Sequence, residues 1–252
     1  MPLGQHRRIK TPPLPALDLP PPFRLVTLRE AGDAFRHACA EAGELGAGTL
    51  VVVGRFDLAE FAVVLEPDEP LAGARRVFFA GMTALVDALS AIAPPRKPIA
   101  IQWPGTVLVD GGLVGGGRLG WPAGTKEKAV PEWLVFGAMI RTVSMTGVEG
   151  GLYSLSTALE DEGFDAARSD RLVEGFARHF MSAIDRWRDA GFASVGVDYV
   201  ARLRPDDDLR YDLDERGALL VRRPVGPIQR HALRPALETV SWFDPESGGP
   251  RR

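Results

Sequence analysis

The chain of 252 residues sets 30 Lys and Arg against 33 Asp and Glu, a formal net charge of -3, so no broad basic field is present to hold nucleic acid by its phosphates. No apolar run approaches the roughly 20 residues that span a bilayer, and the start lacks the apolar core of a signal peptide, which together point to a cytoplasmic protein. The single cysteine, Cys39, excludes an internal disulfide framework and agrees with a reducing compartment, while the length is ample for one large core with or without a small appendage.

In chain order, residues 1–22 begin with a small basic tip at Arg7, Arg8 and Lys10 and continue as Thr11-Pro12-Pro13-Leu14-Pro15-Ala16-Leu17-Asp18-Leu19-Pro20-Pro21-Pro22, a composition that rules out helix and predicts an extended or loose segment. Cys39 shares helical spacing with Leu28, Ala31, Phe35 and Ala38, which reads as a buried structural thiol rather than a nucleophile. Two apolar strands follow, Thr49 to Val53 and Glu60 to Glu66, joined by Gly54-Arg55-Phe56-Asp57-Leu58-Ala59. From Leu71 to Ala93, the residues Val77, Phe78, Met82, Leu85, Val86, Leu89 and Ile92 recur at helical spacing.

The most informative stretch runs from Ile101 to Leu119. It reads as a strand ending in Gln102-Trp103-Pro104, a second strand, an Asp110-Gly111 turn, and a returning strand with three consecutive glycines, Gly115, Gly116 and Gly117. Without β-carbons these glycines admit a ligand close to the strand, or equally relieve crowding at a bulge. In a regular strand Val114, Gly116 and Arg118 share one face, and Leu113, Gly115, Gly117 and Leu119 the other; a bulge at the glycines reverses that. Trp103 and Trp121 flank the hairpin, as walls of an apolar pocket or as core packing.

Farther along, Gly137 to Arg141 is strand-like, and Glu160-Asp161-Glu162 reads as a solvated helix end. A helix is expected over Ser169 to Asp189, with Leu172, Val173, Phe176, Phe180, Ile184 and Trp187 on one face, Ser169 as N-cap and Gly191 as stop. His179 sits beside that stripe as a packing residue. The four histidines are scattered with no pair at ligand spacing, which argues against a metal site. Arg204-Pro205-Asp206-Asp207-Asp208 reads as a linker, after which Tyr211 to Leu213 and Ala218 to Val221 flank a turn as a hairpin. The predicted organisation is an N-terminal segment over 1–22, one domain over 23–203, and a small C-terminal β unit over 204–252.

The Gln102-Trp103-Pro104 strand, the Asp110 turn and the returning strand with Gly116 resemble the heart of the biotin protein ligases and lipoate protein ligases. That family reads Lys-Trp-Pro-Asn-Asp, then an Asp/Gly turn, then Lys-(Val/Ile/Leu)-(Ala/Gly)-Gly. Here Gln102, Gly105, Thr106 and Leu113 stand in the positions of Lys, Asn, Asp and Lys. The family's arginine-rich loop is reduced to Gly54 and Arg55, its Gly-x-Gly-Ile-Asn strand appears as Gly137-Ala138-Met139-Ile140-Arg141, and its Ser-Thr-Asn helix start has no match. Thr157 to Gly163, Gly191-Phe192 and Tyr199 extend the likeness to about residues 20 to 203.

The resemblance implies an α+β fold: a mixed β-sheet with helices packed mainly on one side, plus the small C-terminal β unit. It implies acyl transfer from a biotin-like or lipoate-like acid to a carrier-domain protein, with ATP and magnesium, and it leaves room for a homodimer. The changed letters argue against adenylation, because an acyl adenylate needs fixed cations that Leu113 and Gln102 do not supply. Two readings follow: a divergent ligase or acyltransferase using Arg55, Arg118 or Arg141 in place of the lost lysines, or a non-catalytic ligand-binding or partner-binding protein on the same fold. The candidate ligand-binding residues are Gln102, Trp103, Gly115, Gly116, Gly117, Arg118, Arg55 and Arg141.

Overall fold

A computed structural model describes residues 17–29, 32–144, 156–165 and 169–251. The basic tip and the proline-rich run up to residue 16 lie outside the described residues. Seven strands build one sheet: β1 (Arg24–Arg29), β2 (Thr49–Gly54), β3 (Leu58–Leu65), β4 (Ile99–Gln102), β5 (Thr106–Val109), β6 (Gly112–Gly120) and β7 (Leu134–Arg141). Their order is β1-β2-β3-β7-β6-β5-β4, with β1 and β2 parallel and every other pair antiparallel. The central strands are buried on both faces, which is why β2 and β3 read as nearly continuous apolar runs.

One face carries α3 (Val77–Ile92), α4 (Ser169–Ala190) and α5 (Phe192–Val200). α3 packs on both the sheet and α4, so it is apolar around most of its circumference, whereas α4 buries one stripe on the sheet and α3 through Leu172, Val173, Phe176, Phe180 and Ala183. Phe136 of β7 stacks on Phe176 at 5.6 Å between ring centres, and Phe176 stacks on Phe180 at 5.4 Å. The opposite face carries α1 (Ala34–Leu45), whose Ala34, Ala38 and Ala42 pack on Val51, Val53, Ala62, Val64 and Val135.

Beyond α5, a three-stranded sheet of β8 (Arg210–Leu213), β9 (Leu219–Arg222) and β10 (Gln229–His231) contains the expected hairpin. α6 (Leu233–Glu238) and a short pair, β11 (Phe243–Asp244) and β12 (Gly249–Pro250), complete the chain. Leu219, Val221, Leu233 and Leu237 join the main core, so this β unit packs directly on the larger body.

Three local expectations differ. The helix predicted over 71–93 is two: α2 (Leu71–Ala74) and α3, separated at Arg75 and Arg76, where Arg75 turns to Glu127 and Arg76 to Glu69 and the Glu215 carbonyl. α1 starts only at Ala34, because Gly32 takes φ +129° and the Asp33 carboxylate caps the Arg36 amide; Leu28 therefore belongs to β1, and Ala31 lies outside the described residues. Glu160-Asp161-Glu162 forms turns, not a helix end, and Glu162 pairs with Lys97 at 2.6 Å.

Candidate functional site

The Asp110-Gly111 turn has φ of +49° and +84°, the pair of positive values a two-residue hairpin turn requires, and it sends β6 back along β5. Between Val107 and Leu108 the register slips: Val107 faces Gly115 while Leu108 faces Leu113, leaving Val114 as the extra residue of a bulge. Gly115 accommodates it at φ +151°, where a β-carbon would overlap the Met139 carbonyl of the next strand. The bulge reverses the alternation, as the conditional reading of the glycines allowed. Val114 belongs to the main core, whereas Leu113 joins Leu58, Met139 and Trp242 on the face of α1. Gly116 and Arg118 also look toward that face, since a β-carbon on Gly116 would meet Trp242 and the Arg118 guanidinium stacks on Phe35 of α1 at 4.3 Å.

Leu113, Gly116, Arg118, Met139 and Arg141 thus share the sheet face beside α1, a groove filled by the C-terminal segment. Gln102, paired in register with Thr106, is exposed at its outer edge. Trp103 and Gly117 point to the other face: Trp103 packs on Phe79 and Tyr199 at 5.8 and 6.1 Å, and a β-carbon on Gly117 would strike Met82 and Phe136. Trp121 is half-buried against the main core. For both tryptophans, core packing is what the structure shows. Arg55 lies in the β2–β3 loop, held bidentately by Asp57 at 2.9 and 2.6 Å.

The charges of the groove are matched within the protein. Arg118 pairs with Asp33 at 2.5 Å and is stacked between Phe35 and Phe243, the latter at 4.7 Å. Burial works against the Asp33 charge, but Arg118 and the Arg36 and Phe35 amides outweigh it and hold the carboxyl below its ordinary value. Glu60 of β3 accepts from the Ala34 amide at 2.7 Å, and its other oxygen has no hydrogen-bond partner although it is buried. Burial, with Asp33 nearby, pushes the Glu60 carboxyl up against the opposing pull of the Ala34 amide and of Arg118 and Arg55. Two carboxylates of the chain therefore stand at the N-terminus of α1, the place that otherwise favours an anionic ligand. Cys39, also on this side, has its thiol pushed up to about 12, chiefly by burial.

What sequence reasoning missed is the occupant of the groove. Trp242, only 1% exposed, lies over Gly116 and donates its indole N–H to the Gly117 carbonyl at 3.1 Å. Arg141 donates to the Pro250 and Arg251 carbonyls at 2.6 and 3.2 Å, and β12 lies against β6 and β7. One crevice beside Trp242, lined by Pro104, Gly105, Gly117, Arg118 and Leu237 among others, has room for about one water molecule. The available signal was a tryptophan in the C-terminal segment and a glycine on β6, residues far apart in sequence whose fit no periodicity announces. Among the described residues, no cluster of three or more His, Cys, Asp or Glu could hold a metal ion, and no helix is long and apolar enough to cross a membrane.

Residues 19–201 match the sequence model of the biotin/lipoate A/B protein ligase family. A biotin protein ligase-like protein of unknown function from a Silicibacter species superposes with a TM-score of 0.75 at 27% identity, covering 88% of this chain and 99% of its own. Biotin protein ligase from Aquifex aeolicus gives 0.63 at 17% identity over 83% of this chain and 95% of its own. The Leishmania major biotin protein ligase in complex with biotinyl-5-AMP gives 0.52 at 16% identity over 84% and 99%. No curated protein matches the sequence.

Proposed function

The chain belongs to the biotin/lipoate A/B protein ligase family, and from that premise we propose that it binds a small carboxylic acid in the groove beside α1 without activating it as an adenylate. The observation that carries this reading is the pair of carboxylates, Asp33 and Glu60, at the N-terminus of α1. A polyphosphate requires several fixed cations or spare amide donors. Here Leu113 replaces the lysine of the resembled motif, Arg118 is committed to Asp33, and Arg55 is committed to Asp57. Adding a nucleotide triphosphate beside two carboxylates brings like charges together in a poorly hydrated site, so ATP with magnesium does not fit the residues present.

A carboxylic acid makes a smaller demand. The floor of the groove is apolar through Leu58, Leu113 and Met139, and Arg141 stands on the last position of β7, where its guanidinium donates to the Thr157, Pro250 and Arg251 carbonyls. The carboxylate of an acid can take the place of these carbonyls, because a charge-assisted bidentate pair exceeds bonds to neutral acceptors. The reading is a ligase-fold acid binder, with a biotin-like, lipoate-like or fatty acid as ligand class. The test is calorimetric titration with ATP and magnesium beside acid-dependent pyrophosphate exchange. The expected results are ATP binding no tighter than about 1 mM and no exchange with biotin, lipoate or octanoate. Micromolar ATP binding or exchange above background overturns the reading and restores an active ligase.

A further inference from the structure

We propose that residues 239–251 are an internal ligand: a strap that hinges where α6 ends, fills the groove beside α1 and must swing out before an acid enters. The inference rests on the acid-binding reading for what the groove finally holds, but not for what holds it closed.

The chain changes partners abruptly at Thr239. Just before it, α6 is fixed to the body: Leu233 and Leu237 lie in the main core, and Arg234 bonds Glu127 at 2.6 Å. Just after it, Val240, Trp242 and Phe243 leave that core and form a separate small cluster with Leu58, Leu113 and Met139 on the other face of the sheet. A detachable element needs this division, since separating the small cluster leaves the main core closed.

The strap also satisfies most of its own backbone. Phe243 and Asp244 pair with Pro250 and Gly249, the Arg251 amide donates to the Trp242 carbonyl at 2.8 Å, and the Arg251 guanidinium donates to the Ser241 carbonyl. Asp244 gathers the Glu246 and Ser247 amides and the Ser247 hydroxyl. It can therefore move as a folded unit without stranding buried amides. Among the described residues its polar moorings to the sheet are the Trp242 indole on the Gly117 carbonyl, Ser241 beside Thr106 at 3.3 Å, Arg141 on the Pro250 and Arg251 carbonyls, and Phe243 against the Arg118 guanidinium at 4.7 Å.

These moorings stand in for the contacts of a ligand. Trp242 supplies a flat apolar ring with an N–H donor, and the Pro250 and Arg251 carbonyls supply oxygens to Arg141. Strap departure uncovers an apolar floor and one acceptor at Gly117, and takes the Pro250 and Arg251 carbonyls away from Arg141. That set of features takes an apolar acid, and the crevice beside the docked Trp242 holds only about one water. The strap and the acid compete for the same groove, so the apparent affinity for acid is lowered by the fraction of time the groove is closed.

Amide hydrogen exchange on the unaltered full chain tests the hinge, and calorimetry on Trp242→Ala and Trp242→Phe tests the competition, with octanoate, biotin and indole as probes. The amides of Phe243, Gly249 and Arg251 are expected to exchange at least about 100-fold faster than those of β7, and faster still with octanoate. Trp242→Ala is expected to bind octanoate at least about tenfold more tightly than the unaltered protein, with Trp242→Phe in between. Strap amides that exchange no faster than those of β7 overturn the proposal whatever the variants do, as does Trp242→Ala binding octanoate no better while its strap stays protected. If Trp242→Ala takes up indole and its strap loses protection, yet neither acid binds any of the proteins, the strap stands and the acid-binding reading falls.

Discussion

Replacing Arg118 by methionine tests whether the groove is held by its own ion pair. The guanidinium is 10% exposed and Asp33 is 24% exposed, so neither charge is well screened by water. One charge-assisted bond contributes about 1.5–3 kcal/mol, and stacking on Phe35 and Phe243 adds about 0.5–1 kcal/mol for each ring where water still reaches. Methionine keeps part of the packing but strands Asp33 beside Glu60. Arg118→Met should therefore cost about 3 kcal/mol. Asp33→Asn retains the cap on the Arg36 amide, since asparagine caps as well as aspartate, and should cost about 2 kcal/mol through the lost pair. The double variant should recover about 2 kcal/mol relative to the sum, the coupling energy of the pair.

Urea denaturation of the four proteins at pH 7 measures that coupling. The pH dependence supplies an independent check. The Asp33 carboxyl lies below its ordinary value in the fold, so the stability it contributes is present above the ordinary aspartate pKa and is lost as pH falls through the depressed one. The coupling should be full at neutral pH and shrink toward pH 3. A coupling under about 0.5 kcal/mol at pH 7, or one that does not fall with acid, refutes the assignment of Arg118 to a structural pair and returns it to the pool of ligand-binding cations.

Two further outcomes are expected. Because burial pushes the Glu60 carboxyl up, its stability contribution is complete below the ordinary glutamate pKa and falls as pH rises through the raised one. Glu60→Gln, whose amide oxygen can still accept from Ala34, should therefore stabilise the protein by about 1 kcal/mol at pH 8 and change little at pH 4; lower stability at pH 8 would count against this account. With its thiol pushed up to about 12, Cys39 should resist iodoacetamide in the native protein at pH 8 and react once urea is added, as followed by intact mass; native labelling at the rate of free cysteine contradicts the burial argument.

Most of the sheet was legible because its strands announce themselves locally; β1 was not, since Leu28 fits the helical spacing of Phe35 and Cys39 as well as a strand. Two positive-φ residues at Asp110-Gly111 fix a hairpin, and the apolar runs at Val51 to Val53 and Phe61 to Val64 can be buried only between two layers. The α4 stripe was legible for the same reason, since Leu172, Phe176 and Phe180 repeat at helical spacing. The break at Arg75 and Arg76 was not, because it depends on Glu127 and Glu215, far away in sequence. At the candidate site, the glycine run marked where chains approach closely without saying which chain. Gly116 serves close approach to Trp242, Gly117 to Met82 and Phe136, and Gly115 to the Met139 carbonyl; each partner comes from another part of the fold.

That distribution bears on the proposed absence of adenylation. An adenylating site must present cations and spare amides to a substrate rich in phosphate. Here the N-terminus of α1 is met by Asp33 and Glu60, the lysine position on β6 is an apolar Leu113, and the indole of Trp242 bonds the Gly117 carbonyl. These substitutions are mutually consistent: an apolar floor suits Leu113, Met139 and Trp242 together, whereas a lysine at 113 would place an ammonium against a fully buried indole cluster. Restoring the lysine alone should therefore not restore nucleotide binding, because the carboxylates at α1 would still repel the phosphates while the new charge lost its solvation. Only the combined exchange of Leu113, Glu60 and Trp242 addresses charge, counter-charge and access at once.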